Sequence, residues 1–192
     1  MKRVWLLSLI ALVVRVQAQD TDWVRMWTEA QQRRPAAIGS VGRIAPPNEP
    51  GTPMIIHGRV FQRDGKTPIA GAIVFAYHTD HKGVYNVNEA PGWRLRGWAK
   101  SDASGRFEFR TIRPAPYPGR RIPAHLHLTI EGPRIARRGT DEVRFLDDPF
   151  VTAAEKQRSV AAGAFGWVRP VTTKAGVQHV DLNVRLSEEG RF

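Results

Sequence analysis

The chain contains no cysteine. Disulfide frameworks, thiolate-bound metals and cysteine nucleophiles are therefore excluded, and packing alone must hold the fold together. The apolar stretch Val4 to Val14 falls short of the roughly 20 residues that cross a bilayer as a helix. Internal repeats, low-complexity tracts and recognised nucleic-acid modules are also lacking. Charge of one sign is in short supply too: 18 acidic residues stand against 29 Lys and Arg, a formal net charge of +11. The basic residues are scattered rather than clustered, so nucleic acid is not the expected partner. Anionic aromatic compounds or acidic polymers suit such a surface better.

What is present begins with an address. Met1-Lys2-Arg3 is basic, Val4 to Val14 is apolar, and Val16-Gln17-Ala18 ends on a small residue, so residues 1–18 read as a secretory signal peptide. Arg15 is unusual that close to a cleavage point. An exported protein, periplasmic or extracellular, with no membrane span after cleavage is the expectation. The remaining residues suit one domain that can bury a substantial core without staples.

Residues 19–52 read as a helical arm and linker. Trp23, Met26, Trp27 and Ala30 recur at i, i+3, i+4 and i+7 behind Asp20 and Thr21, which predicts a short amphipathic helix laid across the core. Gly39, Gly42, Pro46, Pro47 and Pro50 predict an extended linker from Ala36 to Pro53. Residues 53–192 carry β signals. Strands are expected over Met54–Val60, Ala72–Tyr77, Phe107–Phe109, Ala124–Ile130 and His179–Leu186, with a turn at Asp64-Gly65 and a small helix from Thr152 to Ala162. Short strands between Gly, Pro and Asp turns predict an all-β fold, an antiparallel sandwich with long loops.

The chemistry concentrates in Thr111-Ile112-Arg113-Pro114-Ala115-Pro116-Tyr117-Pro118 and the following Ile122-Pro123-Ala124-His125-Leu126-His127. Alternation along a strand sends His125 and His127 to one face and Leu126 to the other. Prolines around Tyr117 fix the backbone and keep its phenol at a defined angle to that strand. A His-x-His pair by itself is more often two hydrogen-bonded or solvent-facing histidines than a ligand pair. A second tyrosine, Tyr85 in Gly83-Val84-Tyr85-Asn86, follows the Ala72–Tyr77 run. Ser101-Asp102-Ala103-Ser104-Gly105 precedes the Tyr117 segment.

Taken in order, Pro53–Val60, Asp80–Tyr85, the Ser-Asp-x-x-Gly turn and the Pro-Tyr-Pro to His-x-His block resemble the intradiol ring-cleavage dioxygenases, over about Pro53 to Pro149. The resemblance implies a transthyretin-like core and a mononuclear non-haem Fe(III) held by Tyr85, Tyr117, His125 and His127. Tyr117 and His127 would be axial, Tyr85 and His125 equatorial. It implies a catechol-type substrate cleaved by O2 between its hydroxyl-bearing carbons to a cis,cis-muconate derivative, Tyr117 accepting a substrate proton, and a homodimer or larger assembly. Donor chemistry agrees, since two phenolates and two imidazoles suit ferric iron better than Zn(II) or Cu(I). No organic cofactor is needed.

Two positions depart from the family pattern. Ile122 stands where many members carry arginine before Pro-Ala-His, which leaves Arg120 or Arg121 to stabilise developing charge or meet a substrate carboxylate, unless they form a solvated pair. Glu142, in Asp141-Glu142-Val143-Arg144-Phe145, occupies the place of a glutamine near the site, and its charge would disfavour anionic substrates. Trp93, Arg94, Arg96 and Trp98 are read either as the mouth of the site or as apolar cover. His57, His78, His81 and His179 are read as structural or surface histidines. A noncatalytic transthyretin-like exported binding module is the alternative, since Gly58-Arg59-Val60, Gly71-Ala72-Ile73-Val74 and Asp102-x-x-Gly105-x-Phe107-x-Phe109 resemble such modules. A zinc or copper hydrolase is the weaker third reading, because no carboxylate lies close in sequence to the histidine pair.

Overall fold

The computed structural model describes residues 22–86, 92–132 and 135–186. The predicted signal peptide and the capping residues Asp20 and Thr21 lie outside them. The described strands form two sheets. One has the order β1 (Val41–Arg43), β5 (Arg106–Ile112), β2 (Pro53–Phe61), β11 (Val177–Arg185), β10 (Thr172–Lys174). The other runs β4 (Arg96–Lys100), β3 (Ile73–His78), β6 (His125–Gly132), β8 (Val143–Phe145), β9 (Val168–Arg169), with β7 (Ile135–Gly139) also paired to β6.

Alternation puts one apolar core between them. Met54, Ile56 and Val60 of β2, Phe107 and Phe109 of β5, and Val180, Leu182 and Val184 of β11 join Val74 and Ala76 of β3, Leu126, Leu128 and Ile130 of β6, and Val143 and Phe145 of β8 in a single buried cluster. Each Val, Leu, Ile, Met or Phe among them contributes about 1.5–3 kcal/mol when fully buried. Gly58 shows how tight the packing is: a Cβ there would lie 2.0 Å from the Phe107 ring.

The expected strands are all present, but the sheets are mixed rather than antiparallel. β2 and β11 pair in parallel, as do β1 with β5 and β8 with β9. Parallel neighbours need long crossovers, and β2 and β11 lie at opposite ends of the core sequence, a relation that local pattern does not encode. The segment expected as a linker also differs, since it contributes β1 and buries Ile44 and Ala45 in the core. Its glycine has a packing reason: a Cβ on Gly42 would meet the Trp98 carbonyl at 2.3 Å.

The outer face of β3 and β4 carries a second cluster. Helix α1 (22–31) lays Trp27 and Ala30 on Phe75, Tyr77, Trp93 and Trp98, with Trp23 and Met26 packed beside them. The helical stripe predicted from sequence is thus the buried face, and it packs on this chain's own sheet. Trp93 and Trp98 are buried and Arg96 and Trp98 lie in β4, so the apolar-cover reading holds over the substrate-mouth reading. Helix α2 (Ala153–Ala161) starts at Thr152, which forms a reciprocal capping box with Glu155. Among the described residues no helix is long and apolar enough to cross a membrane.

His78 ends β3 fully buried, with Nδ1 donating to the Thr79 carbonyl at 2.6 Å and Nε2 accepting from the Thr111 hydroxyl at 2.6 Å. Burial lowers its pKa to about 4. An unfolded histidine titrates near 6.5, so the unfolded chain binds the extra proton between those values. The stability it contributes is complete above pH 6.5 and is lost as pH falls toward 4, by at most about 3 kcal/mol. Urea unfolding at pH 7 and pH 4.5 should show this loss, and His78→Gln should remove its share of the pH dependence. An unchanged slope in the variant would assign the acid sensitivity elsewhere.

Candidate metal centre

The same alternation that sends Leu126 into the core turns His125 and His127 to the outer face of β6. Register places His127 opposite Tyr77 of β3 and His125 opposite Arg144 of β8. Two loops then bring phenols to the imidazoles. The Tyr85 hydroxyl lies 2.6 Å from the Tyr117 hydroxyl and 2.9 Å from His127 Nε2, and the Tyr117 hydroxyl lies 3.1 Å from His125 Nε2. All four residues singled out in the sequence as ligands therefore meet at one point.

Local chemistry explains the meeting. The Asp80 carboxylate accepts from the backbone of Lys82 and Val84, closing the turn that aims Tyr85. The Asp80 carbonyl accepts from Ala115 N–H and Thr79 donates its hydroxyl to the Ala115 carbonyl, fastening the Tyr117 approach to the end of β3. Gly83, at φ +80°, lets the loops touch, because a Cβ there would stand 2.0 Å from the Pro116 carbonyl oxygen. Asp148 accepts from Ala124 N–H at the entry to β6.

Both imidazoles are oriented from behind. His125 Nδ1 donates to the Pro123 carbonyl at 2.7 Å, which leaves the Nε2 lone pair facing the phenols. His127 stacks on Tyr77 at 4.5 Å, Tyr77 stacks on Trp93 at 3.7 Å, and Trp23 donates its indole N–H to the Tyr77 hydroxyl. Tyr77 was not singled out from sequence as a site residue. Parity with Phe75 places both on the outer face, but the register that sets Tyr77 beside His127 is not a local signal.

Glu142 does reach the site, its Oε1 lying 3.9 Å from His125 Nε2 and 3.8 Å from His127 Nδ1. His125, His127 and Glu142 form a three-residue group able to hold a cation. The carboxylate absent from the neighbouring sequence thus arrives through β8. Arg144 pairs with Glu142 at 2.9 Å and with Glu155 of the α2 capping box, so the helix start anchors the acidic side of the site. Arg120 and Arg121 are both exposed. Arg121 lies 5.7 Å above the Phe150 ring, and Arg120 is near enough for its charge to favour ionised Tyr117.

The electrostatics favour a highly charged cation. Burial raises the pKa of Tyr85 far above the ordinary phenol value, and the neighbouring Tyr117 raises it further. Tyr117 is also raised, mainly by burial. Burial, then the charge of His125, lowers His127 to about 4 and keeps it neutral. Burial pushes the Glu142 carboxyl up, but His125, Arg144 and His127 outweigh it and leave the group below its ordinary value. Two phenols reluctant to ionise alone beside two imidazoles fit a trivalent ion, whose charge reverses the cost of forming phenolate. The donor set thus fits ferric iron.

Comparison with known proteins agrees with this chemistry. The Dioxygenase family model (Dioxygenase_C) matches residues 31–174, and the chain belongs to the intradiol ring-cleavage dioxygenase family. It is 34% identical over 126 residues to catechol 1,2-dioxygenase 1 of Acinetobacter lwoffii, which covers 55% of this chain and 40% of that protein. The chain thus spans about two fifths of that curated relative's length. In fold it resembles the dioxygenase domain of a dioxygenase carbohydrate-binding protein fusion from Streptomyces sp. SirexAA-E, with a TM-score of 0.60, 23% identity and coverage of 80% and 91% of the two chains. The intradiol ring-cleavage dioxygenase of Tetranychus urticae gives a TM-score of 0.57 at 16% identity, covering 81% and 89%.

Gly83→Ala tests the loop contact directly. The added Cβ and the positive φ should push the Tyr85 and Tyr117 loops apart and cut metal retention at least about tenfold. Metal per chain after dialysis measures it, and wild-type retention would show that the contact does not hold the phenols.

Proposed function

We propose that this protein is a non-haem Fe(III) intradiol dioxygenase that cleaves a catechol-type ring between its two hydroxyl-bearing carbons, with O2, to a cis,cis-muconate derivative. The observation that carries the proposal is the convergence of Tyr85, Tyr117, His125 and His127, whose facing donor atoms are 2.6–3.1 Å apart. A binding module would have no need for two buried phenols facing two imidazoles. The paired sheets around one core are read as a transthyretin-like sandwich, and the N-terminal sequence as an export signal.

When bound, ferric iron supplies Lewis acidity that draws electron density from a chelated catecholate and opens the ring to O2. The chain's own residues divide the remaining work. Tyr85 and His127 stay as fixed donors, His127 held by its stack on Tyr77. Tyr117, the less buried phenol and the one beside Arg120, is assigned the proton-accepting role at its hydroxyl oxygen. His125 keeps Nε2 toward the site through its bond to Pro123. Trp93 and Tyr77 form the dry wall behind His127, excluding water from that side. Glu142 places negative charge beside the imidazoles, which favours substrates without an anionic ring substituent.

The decisive measurement is a visible absorption spectrum with iron quantified, before and after anaerobic addition of catechol. A phenolate-to-Fe(III) charge-transfer band that shifts with catechol, weakens in Tyr85→Phe and Tyr117→Phe, and accompanies oxygen uptake is the expected result. A colourless protein that takes up no iron would sink the reading.

A further inference from the structure

The sheet opposite the candidate centre carries two facing imidazoles with a carboxylate behind one of them. His57 on β2 and His179 on β11 face each other across two parallel strands, with His57 Nε2 3.2 Å from His179 Nδ1. Their rings are nearly coplanar, 7° apart in tilt with centroids separated by 5.5 Å, so the two nitrogens meet edge to edge. Glu108 on β5, the cross-strand neighbour of His57, places Oε2 3.6 Å from His57 Nδ1. Arg110 holds the other Glu108 oxygen at 2.9 Å. Asp181 is the neighbour of His57 on the β11 side.

We propose that His57 Nε2 and His179 Nδ1 bind a divalent first-row transition ion such as Zn(II), with Glu108 orienting His57 from behind. Two nitrogens bound to a tetrahedral ion at 2.0–2.1 Å lie about 3.3–3.4 Å apart, and the pair already stands at 3.2 Å. Tilting the rings turns both lone pairs onto one ion while the hydrogen-bonded strands stay in place. The cation replaces the hydrogen-bonded proton between the rings. In the metal-bound form His57 keeps its proton on Nδ1, facing Glu108, and His179 carries its proton on Nε2, so both imidazoles remain neutral and no net proton is released. A histidine whose second nitrogen faces a carboxylate is the arrangement that raises ligand basicity. Water completes the coordination at this half-exposed surface, and Asp181 adds favourable negative charge in an otherwise basic protein.

The occupied site would clip β11 to β2 and act on stability rather than on ring cleavage. Iron-loaded protein should be titrated with Zn(II) by calorimetry at pH 7.5 while the visible band is monitored, alongside thermal unfolding with and without zinc. Binding of zinc in wild type and in His81→Ala, with a raised melting temperature and an unchanged visible band, is expected. His57→Ala and His179→Gln should each weaken that binding at least about tenfold and abolish the shift in melting temperature. If wild type takes up no saturable zinc, or if both variants bind it as wild type does, the proposal is overturned. Neither result bears on the iron reading, because the iron band is followed independently.

Discussion

The two-residue alternation of β3 and β6 is the constraint on which the rest of the molecule depends. It sends Val74, Ala76, Leu126, Leu128 and Ile130 into the inter-sheet core. The same rule presents Phe75, Tyr77, His125 and His127 on the outer face. A slip of β6 by one residue against β3 would turn its side chains over, burying imidazoles in the core and exposing leucines. Core and candidate centre are therefore specified together, and the energy of burying the inner residues fixes the geometry of the outer ones.

That outer face must then keep polar atoms ordered where water is scarce. Unsatisfied, each buried phenol or imidazole would cost about 1–3 kcal/mol. The chain meets this by closing short bonds among the four donors themselves and by giving most of the surrounding groups a second partner. His125 has the Pro123 carbonyl, Tyr77 has the Trp23 indole, and Glu142 has Arg144. Asp80 links the pieces, since it shapes the Tyr85 turn, receives the Tyr117 approach through its carbonyl, and pairs with Arg94, which also binds Glu49 of the N-terminal segment. The order of the site thus rests on loops tied to strand ends rather than on the strands alone.

The four donors were legible as a set only through the family resemblance, which a same-face pair on a strand, a proline-stiffened approach and a Gly-initiated turn together carried. The amphipathic stripe of α1 was legible because periodicity is local. The parallel pairing of β2 with β11 was not, because it joins residues more than a hundred positions apart. β1 was hidden within glycine and proline, where Gly42 permits close approach rather than marking a flexible linker. The roles of Tyr77 and Arg144 were equally hidden, since each depends on cross-strand register. Glu142 was anticipated only through family resemblance.

The arm formed by α1 does more than cover apolar surface. Trp27 meets Phe75 edge-on at 5.1 Å, and Trp23 stacks on Trp27 while donating to Tyr77. Tyr77 in turn lies flat against His127. A chain of ring contacts therefore runs from the helix to an imidazole of the candidate centre, and it is continued on one side by Trp93. Rings transmit position well because they have few rotatable bonds and resist compression in a packed cluster. The helix thus limits where one donor nitrogen can point, which is why the arm belongs to the architecture of the site.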